Sequence, residues 1–217
     1  MREENEIALS EFERSLSRPT MLSDPCQEYG EDCLGKILAK SDQQISGVDY
    51  SILFNTNLPC GKNTEAMYFL PASIDYLSGL PADHAEMLEE WLGFIVKNIP
   101  DIESLNLMNS FSSLLAIMFE SVTSSYDVVS MGDEECGEKG WGISHFEYVR
   151  GSLIVCGLVQ ELSRTRQGKM IAKGFIEHLL GRNDEAANKW LIEIASECEE
   201  EIDIFLSTEQ FDKLLLD

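Results

Sequence analysis

Basic residues are scarce in this chain. Its 217 residues include 16 Lys and Arg against 39 Asp and Glu, a formal net charge of -23 at pH 7. That imbalance disfavours nucleic acid and anionic lipid as partners and favours cationic surfaces. The one basic stretch, RTRQGKMIAK, lacks the interleaved aromatics of a nucleic-acid surface. No apolar run approaches the roughly 18 residues that a membrane span requires. The N-terminus, MREENEIALSEFERSLSR, has no apolar run followed by a small-residue cleavage site, so no secretory signal is expected and the chain reads as cytoplasmic.

Motifs that carry chemistry are missing as well. Cys26, Cys33, Cys60, Cys136, Cys156 and Cys198 form no C-x-x-C pair, which argues against a zinc site. Cytosolic thiols stay reduced, and Cys156, within SLIVCGLV, reads as a small buried hydrophobe. The only histidines are His84, His145 and His178. His84, in DHAEMLEE, has no second histidine at i+4, His145 has no partnered nucleophile, and His178 suits the last turn of a helix. The loop GDEECGEKG lacks the alternating carboxylates and terminal Glu of a calcium loop. No G-x-G-x-x-G, G-x-x-x-x-G-K-[ST] or G-x-S-x-G is present. Carboxylate pairs arise by chance among so many acids and carry no weight. No catalytic residue, metal or cofactor is therefore expected.

What is present is apolar content, at 44% of residues, which separates the chain from a disordered acidic tail. Helical periodicity dominates. Residues 3–17 place Leu9, Phe12 and Leu16 on one stripe. Asp24 and Pro25 open a helix over 24–41. YSILFN reads as a short strand, and Pro71 opens a helix over 72–79. LPADHAEMLEEWLGFIVKNI is amphipathic, with Asp83 as cap and Met87, Leu88, Trp91, Leu92 and Ile95 as stripe. LMNSFSSLLAIMFESV is apolar on most faces and reads as central. The acidic stretch 124–141 reads as an exposed loop where a subdomain break would fall. Helices over 143–162, 165–180 ending at Gly181, and 184–205 capped by Asn183 follow, with a short terminal helix in TEQFDKLLL. Gly151, Ser152 and Gly157 give the first of these a thin face. Tyr68, Phe69, Tyr76, Trp91 and Phe94 read as core. The expectation is a mostly α, multi-helix bundle of eight or nine helices in one domain over 1–217, with room for one short strand or hairpin around 50–70.

Charge is distributed unevenly. Residues 139–182 hold seven Lys and Arg against three acids, while 183–217 hold eleven acids against two bases. The bland reading is mutual neutralisation, with Arg164, Arg166, Lys169 and Lys173 facing Glu193, Glu197 and their neighbours across a tight turn. The functional reading is a docking surface for a cationic protein. Its candidate residues are Asp133, Glu134, Glu135 and Glu138 in the acidic loop, and Glu197, Glu200, Glu201 and Asp203 in SECEEEIDIF. Carboxylates at i, i+3 and i+4 repel by about 0.2–0.5 kcal/mol per pair, which a basic partner would relieve.

With its acidic stretches GDEECGE and ECEEEID, its small size and its motif-free helical pattern, the chain resembles bacterial immunity proteins. The likeness is of type and carries no residue correspondence. It implies a cytoplasmic inhibitor that docks tightly on a basic toxin or effector domain. Two other readings stand beside it. A helical adaptor would bind peptides or helices in an apolar groove, as GRNDEAANKWLIEIA with Ala186, Ala187 and Ala195 suggests. An enzyme of unrecognised type would need converging titratable groups, around His84 or His145.

Overall fold

Local hydrogen bonds decide the first helices. The computed structural model describes residues 16–58, 60–78, 85–131, 146–182 and 184–198. Asp24 accepts hydrogen bonds from the backbone N–H groups of Glu28, Tyr29 and Gly30, so α1 (Gly30–Ala39) starts later than the Asp24–Pro25 signal places it. A 3₁₀ turn (Asp42–Gln44) leads to α2 (Gly47–Leu53). Here Tyr50–Leu53 are helical and Phe54 is the C-cap, which corrects the strand expected within 50–70. The reason is the capping box: the Asp49 carboxylate accepts from the Ser46 N–H and Oγ, both at 2.7 Å, and Lys40 Nζ lies 2.6 Å from it. Burial pushes the Asp49 carboxyl up, but the Lys40 ammonium and the Ser46 donors hold it below the ordinary carboxylate range. Tyr50, Leu53 and Phe54 then fall on one face and are buried.

Helices α3 (Asn63–Met67) and α4 (Leu70–Ser78) follow. The Trp91 indole N–H donates to Ser73 Oγ at 2.7 Å, tying α4 to α5 (Ala85–Ser104). Trp91, Leu92 and Ile95 are buried as their spacing predicts. Of the aromatic group, Phe69, Trp91 and Phe94 are in the core and Tyr68 and Tyr76 are packed against it. Phe54 joins them, 4.9 Å from the Phe94 ring.

Helix α5 continues through Pro100 and stops at Ser104. Asn106 adopts a left-handed φ of 57, and the Leu107 N–H reaches back to the Ile102 carbonyl at 3.0 Å. This is a Schellman turn with Asn in the glycine position, and its usual apolar contact is supplied by buried Ile102 and Leu107. Helix α6 (Met108–Thr123) starts from it. As its composition predicts, α6 is central, packing against α4, α5 and the three C-terminal helices.

In α5, Asn98 is fully buried, and among the described residues its Oδ1 is the buried side-chain oxygen left without a hydrogen-bond partner. Its Nδ2 donates to the Phe94 carbonyl. An unsatisfied buried acceptor costs about 1–3 kcal/mol, and the lost Nδ2 bond offsets part of that. Asn98→Leu is therefore expected to raise stability by about 1 kcal/mol, read as a higher urea midpoint at unchanged slope.

Two strands replace elements expected to be loop and helix. β1 (Val128–Met131) pairs antiparallel with β2 (Phe146–Val149), Val128 opposite Val149 and Met131 opposite Phe146. The hairpin thus lies here rather than around 50–70, and it falls where 124–141 read as loop and 143–151 as helix. FEYV alternates aromatic and β-branched residues with a charge, a strand pattern. Gly151, at φ 82, then turns the chain into α7 (Ser152–Ser163). Gly157 gives α7 the expected thin face: a Cβ there would sit 2.9 Å from Leu92 of α5.

Helix α8 (Arg166–Arg182) runs through Gly181, two residues beyond the expected stop. Helix α9 (Glu185–Glu197) is capped by Asp184, not Asn183, with Asp184 Oδ1 accepting from the Ala187 N–H at 2.8 Å. Its stripe of Ala187, Trp190, Leu191, Ile194 and Ala195 is buried, as is Cys198. The nine helices and two strands among the described residues make a mostly α fold. Their buried side chains, from Leu16 to Cys198, join one cluster. The expected elements over 3–15, the remainder of 184–205 beyond Cys198, and TEQFDKLLL lie outside the described residues, as do Asp83, Asn183 and the side chains of Met87 and Leu88.

Candidate functional site

Of the eight acids expected to meet a partner, Glu197 is described, and it is exposed at the last residue of α9. Asp133, Glu134, Glu135, Glu138, Glu200, Glu201 and Asp203 lie outside the described residues. His84 and His145 lie outside them too. Helices α8 and α9 pack together as expected, yet their charges pair locally. Arg164 meets Glu161, Lys173 meets Glu177, and Arg182 meets Asp184 at the turn between the helices. Arg182 and the Ala187 N–H hold the Asp184 carboxyl below its ordinary range. Glu193 serves the fold: it accepts from Tyr126 Oη at 3.0 Å and Ser152 Oγ at 2.8 Å. Several carboxylates therefore have structural partners within the fold.

A groove of about 590 Å³ lies between α6 and α8, closed at one end by the tip of α5. The two helices run alongside each other in the same direction. Gln167 Nε2 donates to Glu103 Oε2 at 3.2 Å at one end, and Arg182 Nη1 donates to the Thr123 carbonyl at 3.1 Å at the other. Between these ties, Phe119 and Phe175 stack at 4.4 Å between ring centroids and form the floor. Met108 and Ile171 extend it, and Met170, 73% exposed, stands on the wall. Ala116 and Gly174 are exposed small residues in its middle. Glu103, Glu120 and His178 supply the polar rim.

Helix periodicity explains this arrangement. On α6, the stripe of Phe111, Leu114, Leu115 and Met118 faces the core, leaving Ser112, Ala116 and Glu120 at i, i+4, i+8 on another face. On α8, Ala172, Phe175, Ile176 and Leu179 face inward, leaving Met170, Gly174 and His178 at the same spacing. Two parallel faces with small central residues leave a trough between them. An apolar groove of this size with a few polar groups suits ligand or partner binding. Among the described residues, no three His, Cys, Asp or Glu side chains come together as a metal-binding group. None of the described helices is long and apolar enough to cross a membrane.

The groove was not among the sites expected from sequence. A usable signal exists: Met170, a large apolar residue, lies off the buried stripe of α8. Comparison of the chain with protein-family models, curated proteins and solved structures gives no match.

Proposed function

We propose that this chain is a non-enzymatic binding module for a basic protein, of the immunity type, which neutralises a toxin or effector domain by docking on it. One observation carries the reading: an open apolar groove rimmed by Glu103 and Glu120 in a molecule of net charge -23. The field draws a cationic partner in, and burial of Met170 and the groove floor holds it. The groove equally serves the adaptor reading, in which apolar burial dominates. Salt separates the two. An acidic inhibitor gains about 10–10³ in association rate by steering, and this gain falls with ionic strength. The test is to identify the native partner by salt-graded elution from cells at low salt, then to measure association rates against ionic strength. A basic partner whose association slows steeply with salt is the expected result. A salt-independent rate favours the adaptor and removes the inhibitor.

A further inference from the structure

We infer that the partner element seated between α6 and α8 is a basic amphipathic helix of about three turns. This rests on the reading of the chain as a module for a basic protein, and it adds the form of what is recognised.

The walls decide the form. Both sides of the groove are helices, whose backbone groups are already paired within each helix, and the sheet edge of β1 and β2 lies on other elements. An extended peptide laid on the Phe119–Phe175 floor would leave its N–H and C=O groups without partners over apolar surface. A helix brings its own hydrogen bonds and presents side chains alone. Ala116 and Gly174 let its axis come close, and apart from the local backbone of α8 no atom of the described residues lies within 4 Å of a Cβ placed at Gly174. From Met108 to Glu120 the trough spans about 18 Å, at 1.5 Å rise per residue, which sets the three turns.

The rim decides the charge. Glu103 and Glu120 lie towards opposite ends of the trough, and among the described residues that line it there is no lysine or arginine. A helix with its apolar residues at i, i+3, i+4 and i+7 and a Lys or Arg towards each end matches floor and rim together. A second copy of this chain is a poor occupant, because two molecules of net charge -23 repel. Met108 and Met170, unbranched and polarizable, can adapt to the apolar face they meet.

The test uses the full chain and three synthetic 18-residue peptides, followed by titration calorimetry at two salt concentrations. The first peptide is a Leu/Lys sequence with leucines on one helical face. The second has the same composition with leucines scattered, and the third replaces Lys by Glu. The expected result is 1:1 binding of the first peptide alone. Gly174→Leu, which fills open space, should weaken it at least tenfold, and Glu120→Lys several-fold with a shallower salt dependence. Gly35→Leu, equally unobstructed but on α1, should leave it unchanged. Circular dichroism of each variant shows whether the fold is kept. Equal binding of the scattered peptide, or full affinity in Gly174→Leu, overturns the inference. Equal binding of the Glu peptide overturns its basic half. A small apolar dye that occupies the trough and is not displaced by the first peptide overturns the inference as a whole, because the site then belongs to a small ligand. Failure of the parent reading looks different: the first peptide binds as stated while association with the native partner is indifferent to salt.

Discussion

Gly168→Ala is expected to destabilise the chain by about 1–2 kcal/mol, while Gly174→Ala, six residues along the same helix, is expected to stabilise it by up to about 1 kcal/mol. In an exposed helix position alanine is favoured over glycine by about that amount. Gly174 meets the condition, because beyond the local backbone of α8 a Cβ there finds no atom of the described residues within 4 Å. Gly168 does not. It sits in the first turn of α8, where its N–H donates to Thr165 Oγ1 at 3.0 Å, and a Cβ there would fall 2.1 Å from the Leu162 carbonyl oxygen. That oxygen belongs to the last turn of α7 and accepts the Thr165 N–H, so it cannot move without unwinding the corner. Overpacking against backbone costs about 1–3 kcal/mol or more, outweighing the helix gain. Thermal unfolding reads the contrast, since 1 kcal/mol shifts Tm by roughly 2–4 °C in a chain of this size. A Tm for Gly168→Ala at or above that of the parent would show that the α7–α8 corner is looser than described.

The same corner shows why part of this molecule is legible from sequence and part is not. Amphipathic helices are legible because their signal is local: Trp91, Leu92 and Ile95 repeat at helical spacing and are buried together. YSILFN is not, because six apolar or small residues fit either period, and the arbiter is a carboxylate one position before them, Asp49, closing a capping box. FEYV reads as one piece with the following helix because the break between them is two residues, Arg150 and Gly151, and the φ of 82 at Gly151 is invisible in composition. The acidic and basic runs suggest pairing between α8 and α9, yet Arg164, the C-cap of α7, pairs back to Glu161, and Lys173 pairs with Glu177 one turn along α8. Short-range pairs cost less side-chain ordering than long reaches across a surface. The groove was hardest to foresee. Its walls come from Met108–Glu120 and Gln167–His178, far apart in the chain, and no property of either segment alone announces that they lie side by side.

Trp190→Ala is expected to cost about 3–5 kcal/mol, the largest effect of a single change considered for this chain. Trp190 is fully buried on α9, and it joins that helix to the neck of the β hairpin. Its indole N–H donates to the Ser125 carbonyl at 2.7 Å, and its ring meets Tyr126 edge-on at 5.4 Å. Gly151 backs it: a Cβ there would lie 3.9 Å from Trp190 Cη2 and only 2.3 Å from Val122. Beside it, Glu193 accepts from Tyr126 and Ser152, so one patch of α9 holds α6's exit, the hairpin and the start of α7. Since a domain has about 5–15 kcal/mol in total, losing this residue removes a large share of the margin. Trp190→Phe separates packing from hydrogen bonding: it keeps most of the ring and strands the Ser125 carbonyl, with an expected cost of about 1–3 kcal/mol. The patch also has an alkaline signature. Burial, then the bond to Glu193, pushes the Tyr126 phenol up to about 12. A raised folded pKa means stability that is complete below the unfolded value near 10 and is lost as pH climbs through about 12. Tyr126→Phe should blunt that loss. Urea titrations at pH 8 and pH 11 check both points together: Trp190→Ala low at both, Tyr126→Phe less sensitive to pH than the parent, and a Trp190→Ala midpoint close to the parent at pH 8 would mean that α9 is held mainly by its contacts with α8.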